Sequence, residues 1–251
     1  MPRLRRSLAA VATLALLSGC SAADRPVESA SNATPTPVAA TATPVPTPTP
    51  PTPQEEAEDA LMAALAGELT VPESAGGRTR PIDLPGTDSD ADGRVWRYSV
   101  EVEEGLDDIA TGFAHSVRTV LTDERGWEHA DDVHFRHVTP QEQEAGEEVD
   151  VRIMFASPDL VDQECLPART NGRLSCHNVG KVMINAWRWV HGADTYGDDL
   201  AAYRTYLINH EVGHAIGYYH VPCPRAGEKA PVMLQQTLRL EGCTAYPYPV
   251  R

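Results

Sequence analysis

Positive charge is scarce in this chain, and lysine scarcer still. Twenty-one Lys and Arg face 36 Asp and Glu, for a formal net charge of −15, and only Lys181 and Lys229 are lysines. Nucleic-acid binding calls for a basic footprint, so the balance argues against that class. Long apolar runs are also missing. The run at residues 8–17 is too short to span a bilayer. No C-x-x-C pair occurs, which argues against a cysteine-built zinc site. No internal repeat is visible.

What is present begins with a targeting segment. Arg3, Arg5 and Arg6 precede the short apolar run, which ends in Leu17-Ser18-Gly19-Cys20. That ending resembles the lipobox of bacterial lipoproteins, in which the cysteine is acylated and becomes the mature N-terminus. An ordinary signal peptide with a chance cysteine is the other reading. The lipoprotein reading makes residues 1–19 a signal peptide and Cys20 the lipidation site. It places the protein outside the cytoplasm, anchored to the outer face of the cytoplasmic membrane. Residues 33–53 are almost all Thr, Pro, Ala and Val. Such a composition forms neither helix nor sheet and favours extended polyproline II. Residues 35–53 could reach roughly 60 Å at about 3.1 Å each, enough for a disordered stalk. Residues 20–93 are therefore expected to be anchor, stalk and linker.

Cys165, Cys176, Cys223 and Cys243 remain. An even number in an exported chain reads as two disulfides. Three pairings are possible, and sequence neighbours favour Cys165 with Cys176 and Cys223 with Cys243.

A short helix is expected over 55–69 and loop over 72–93, where Asp88-Ser89-Asp90-Ala91-Asp92-Gly93 imitates the start of an EF-hand loop. The twelfth position of that loop is Ser99 rather than Glu, so a solvated acidic turn is the better reading. The folded domain is expected over 94–251. Alternation predicts strands at 95–102, 133–138 and 149–156, and another at 182–189. A helical period predicts helices over 107–122 and 199–216. The second is capped by Asp198 or Asp199 and is ended by Gly217 and Pro222. These elements give an α/β or α+β domain with one core.

The segment His210-Glu211-Val212-Gly213-His214-Ala215-Ile216-Gly217-Tyr218-Tyr219-His220 carries the chemistry. On a helix, residues four apart stack on one face, so His210 and His214 can share a metal ion. Glu211 projects beside that ion and can take a proton from water. A glycine at 217 can adopt positive φ and turn the chain back, which lets His220 close the site. Three histidines leave a fourth zinc position open, as a catalytic site requires. One Zn2+ ion is the expected cofactor.

These residues resemble the long motif of the metzincin zinc metallopeptidases, H-E-x-x-H-x-x-G-x-x-H. The resemblance implies a twisted mixed sheet of about five strands over an active-site helix. It also implies a methionine turn after the motif, which Pro231-Val232-Met233-Leu234 fits, with Met233 as an apolar floor beneath the imidazoles. Substrate would lie extended along the sheet's edge strand, here expected at 182–189. Some metzincins carry a tyrosine two residues after that methionine, where this chain has Gln235, so no fifth ligand is assigned. A pro-segment thiol switch is not available, because no cysteine lies between Cys20 and Cys165. The lipobox, the Thr-Pro stalk, His-Val-Pro-Cys-Pro at 220–224 and Pro-Val-Met-Leu-Gln-Gln-Thr at 231–237 are also similar to an actinobacterial family of secreted lipoproteins of uncharacterised function.

The expected activity is zinc-dependent hydrolysis of peptide bonds at the cell envelope, with Glu211 as general base and a peptide or protein as substrate. The protein is expected to act as a monomer. The rival readings are a non-catalytic envelope binding module that keeps the metal fold, and an amidase that cuts wall cross-links.

Overall fold

The computed structural model describes residues 69–84 and 86–250. The expectations for the signal peptide, Cys20, the stalk and the helix starting at residue 55 lie outside them. The described residues form a mixed α/β structure around a six-stranded mixed sheet. In chain order its strands are β1 (Thr79–Ile82), β2 (Arg94–Glu103), β3 (Val133–His137), β4 (Val151–Ala156), β5 (Cys176–Asn178) and β6 (Lys181–Asn185).

Strands β2, β4 and β6 run parallel, and β5 closes that side antiparallel to β6. On the other side of β2, β3 pairs in parallel with residues 94–98 and β1 antiparallel with residues 100–103. The α-helices are α1 (Phe113–Leu121), α2 (Trp127–Ala130), α3 (Pro140–Glu144), α4 (Pro158–Glu164), α5 (Ala186–His191) and α6 (Leu200–Ala215).

The alternation seen in the sequence is the core pattern. Tyr98, Val100, Val102, Ile153, Phe155, Val182 and Ile184 point to one face, where they meet Phe113, Val117, Trp189 and the buried side of α6. The other face is also covered. Met154, Ala156 and Met183 pack there with Leu160, Val161 and Cys165 at α4. Two-sided cover explains why Ser99, Glu101 and Glu103 are buried on a central strand. Buried charge must be paired. The Arg152 guanidinium donates to Glu101 at 2.6 and 2.7 Å, and Glu103 accepts from the Gly77 and Ser157 amides.

Three expectations are corrected. Strand β1 falls in the stretch expected to be loop, because its pairing partner, β2, lies far along the chain; its Pro81 is tolerated on an edge strand. The helix expected from 107 begins at Phe113. Gly112, at φ 78°, ends a series of turns, although Leu106, Ile109 and Ala110 carry a helical apolar period. The strand expected over 182–189 stops at Asn185, whose side chain accepts from the Trp187 amide and caps α5. Trp187 and Trp189 are therefore helical, and the edge strand is β5 rather than 182–189.

The EF-hand imitation also has a structural use. Asp88 pairs with the buried Arg118 at 2.7 Å and accepts from the His137 amide at 2.9 Å. Asp88 is thus a partly exposed counter-ion to Arg118, while Asp90 and Asp92 stay exposed on the acidic turn.

Candidate metal centre

Helix α6 supplies the centre. The Asp199 side chain caps it by accepting from the Ala202 amide at 2.9 Å, which decides between the two expected caps. Every residue from Tyr206 to Gly213 is buried. At its C-terminal end Gly217 has φ 111°, a backbone conformation that favours glycine. The Tyr218 amide then donates to the Gly213 carbonyl at 2.9 Å, and the chain returns toward the helix.

That return brings His210, His214 and His220 together. Their ligating atoms all lie within 4.8 Å of one another, the only such group of His, Cys, Asp or Glu among the described residues. The Nε2 atom of His220 is 3.3 Å from that of His210 and 3.0 Å from that of His214. The Nδ1 of His210 bonds the Val232 carbonyl at 2.8 Å, and the Nδ1 of His214 bonds the Tyr218 carbonyl at 2.8 Å. A carbonyl only accepts, so both Nδ1 atoms donate and both Nε2 atoms carry lone pairs.

Two bare lone pairs thus face the ring nitrogen of His220. A proton on that nitrogen serves one of them, whereas a cation serves all three. Donors held tetrahedrally at about 2.0–2.1 Å from zinc stand about 3.3 Å apart, which is the scale of these separations. Burial pushes His210 down to about 3, and partial desolvation in the cleft lowers His214 and His220 as well. Neutral imidazole is the form that ligates a metal. The three histidines, neutral and converging, are a donor set that could hold one divalent ion.

Glu211 is buried beside them, and burial raises its carboxyl to about 8. It shares with the three histidines an open cleft of about 480 Å³. Cys176 and His177 of β5 form part of the cleft wall, and Gln235 also lines it.

The segment after the motif fastens the site from behind. Met233 is buried, and the Val221 amide donates to its carbonyl at 3.1 Å. This bond ties the third-histidine segment to the methionine turn. The expected bridges are both present, Cys165–Cys176 and Cys223–Cys243. The second joins the chain just after His220 to the C-terminal segment.

Three supporting residues were missed. Trp127 donates from Nε1 to the Asn209 carbonyl at 2.8 Å, and its ring lies tilted against Tyr218 with centroids 4.5 Å apart. Gly213 is the point where α6 meets Met233 and Trp127. Gln236, fully buried, donates to the Pro231 and Tyr246 carbonyls and accepts from the Tyr196 hydroxyl and the Tyr246 amide. The H-E-x-x-H spacing could have flagged Gly213 as a small residue between ligands. Nothing in the sequence marks Trp127 or Gln236.

The fold and site define a mixed α/β domain with an open cleft beside a histidine-bearing helix. Residues 67–248 match the family described as "Protein of unknown function (DUF3152)", and the chain belongs to that family. No curated protein and no solved structure matches the chain. Both disulfides are compatible with an extracytoplasmic protein. No described helix is long and apolar enough to cross a membrane.

Proposed function

We propose that this protein is a zinc-dependent peptidase of metzincin type, held at the outer face of the membrane through Cys20. The observation that carries the reading is the convergence of three ring nitrogens with a buried carboxyl in one open cleft. A structural zinc site closes all four positions with protein ligands, whereas a catalytic one keeps a position open. Here three protein donors face a cleft.

His210, His214 and His220 would hold the ion. Bound there, zinc supplies Lewis acidity toward a carbonyl oxygen and makes water more acidic. The chain's own groups do the rest. Glu211, buried beside the histidines, takes the proton from the attacking water as a carboxylate and returns it to the departing amine. Val232 and Tyr218 hold two imidazoles in the ligating tautomer through their carbonyls. Among the described residues β5 pairs only with β6. An extended peptide can add along its outer edge, with backbone hydrogen bonds holding it beside Glu211.

The test is metal analysis of the purified protein combined with cleavage of a mixed peptide pool, with and without chelator. The reading expects one zinc per chain and cleavage that chelation stops. Protein without stoichiometric metal would overturn it. Zinc without cleavage of any peptide would favour the binding-module reading, and release of fragments from purified peptidoglycan alone would favour a wall amidase.

A further inference from the structure

In this acidic protein the described arginines are occupied, with one exception. Arg97, Arg118, Arg136 and Arg152 bond carboxylates, and others bond backbone carbonyls or lie over aromatic rings. Arg169 has no hydrogen bond, ion pair or ring partner among the described residues. It is exposed, and it lines the same cleft as the histidine triad.

The position is built rather than incidental. Arg169 sits in the loop between α4 and β5, and that loop is fastened on both sides of it. Cys165 is bonded to Cys176 of the edge strand. Thr170 is buried and its hydroxyl donates to Asp162, which also accepts from the Gly172 amide at 2.8 Å. Further on, the Ser175 hydroxyl accepts from the Asn185 amide at 3.0 Å. The side chain of Arg169 therefore projects from an anchored backbone, next to the strand where a peptide would pair. Among the described residues, and apart from the histidines, it is the only basic residue lining the cleft, and Glu211 is the only acidic one.

A guanidinium presents a planar fork that matches a carboxylate. In a chain with 36 acidic residues against 21 basic ones, an arginine left free on a cleft wall is available to a ligand. We propose that Arg169 is a specificity residue that binds a carboxylate of the substrate, either an acidic side chain near the cut bond or a free C-terminus. This inference rests on the peptidase reading for the identity of the ligand as a peptide.

The experiment uses fluorescent pentapeptides in matched sets on the zinc-loaded protein. One set carries Asp or Glu against Asn or Gln at each position, and the other carries a free acid against an amide at the C-terminus. Binding is read by anisotropy and cleavage by kcat/KM. Wild type should favour the carboxylate member of one set by about tenfold, the scale of one charge-assisted hydrogen-bonded contact. That ratio should fall to about one in Arg169→Gln, recover in part in Arg169→Lys, and invert in Arg169→Glu. The set showing the preference tells the side chain from the terminus. Equal ratios in wild type and Arg169→Gln, in both binding and cleavage, would overturn the carboxylate site even if every peptide is cut. Arg169-dependent binding of acidic peptides without any cleavage would support the carboxylate site and overturn the peptidase reading.

Discussion

A methyl group added at Gly213 would lie 2.5 Å from the sulfur of Met233. The glycine between the two helical histidines is thus required by the methionine turn packed on it. The ring of Trp127 would be 2.7 Å from the same carbon. The thioether can give way, but the indole is pinned by its bond to the Asn209 carbonyl. Glycine to alanine inside a helix ordinarily stabilises by about 1 kcal/mol. Overpacking a tight site costs about 1–3 kcal/mol, so the clash decides the sign. Gly213→Ala should lower stability in denaturant unfolding. In a double-mutant cycle Met233→Ala should cost less in the Gly213→Ala background than in wild type. Additive effects would mean the two residues do not share this contact.

Gly217 gives a contrasting glycine. An added Cβ there would meet nothing within 4 Å, so its constraint is the backbone at φ 111° alone. Gly217→Ala should weaken zinc binding by upwards of about 1 kcal/mol without a packing defect. Competition with a chromophoric chelator measures this. Wild-type affinity in the variant would remove the turn from the account of the site.

Glu211→Gln should retain zinc and lose turnover by about 10²- to 10⁴-fold. The amide fills the same space but cannot accept the proton. Metal content and peptide cleavage are measured on the same sample, and turnover at the wild-type rate would reject Glu211 as the base.

His220 is exposed, whereas His210 is buried. His220→Ala should therefore abolish zinc binding and leave the unfolding midpoint of chelator-treated protein nearly unchanged. Wild type should gain stability when zinc is added, because a ligand that binds only the folded state stabilises it. A zinc-induced rise in midpoint that persists in His220→Ala would show that the ion binds elsewhere.

His137 sets a pH dependence away from the histidine triad. Burial lowers its pKa, and the nearby Arg118 lowers it further, against the opposing charge of Asp88. The folded state keeps this imidazole neutral, while the unfolded chain protonates it near its ordinary value of about 6.5. Stability is then complete above that value and is lost as pH falls below it toward the depressed folded value. The fall in unfolding free energy from pH 7.5 to 5.5 should be smaller in His137→Phe than in wild type, measured on chelator-treated protein. The same slope in both would exclude His137 as a contributor.

The parts of the site legible in the sequence are those set by local geometry. Four-residue spacing on a helix aligns His210 and His214 wherever the helix lies. A glycine that can take positive φ at 217 returns His220 within a few residues. The strand alternation at β2, β3 and β4 was equally readable, because it reflects one local pleat. The two disulfides join cysteines near each other along the chain, so sequence proximity was a sound guide.

What escaped the sequence depends on partners distant along the chain. Strand β1 exists because Thr79 can face Glu103. The apolar run at 182–189 is divided where Asn185 caps α5, and β5 becomes the edge only through the order of the sheet.

By itself the sequence determined which three imidazoles would meet, since helix pitch and one turn settle that over eleven consecutive residues. Tertiary structure alone decided what surrounds them. Trp127, Arg169 and Gln236 reach the site from three separate segments. Their packing and pairing are long-range relations that no local period encodes.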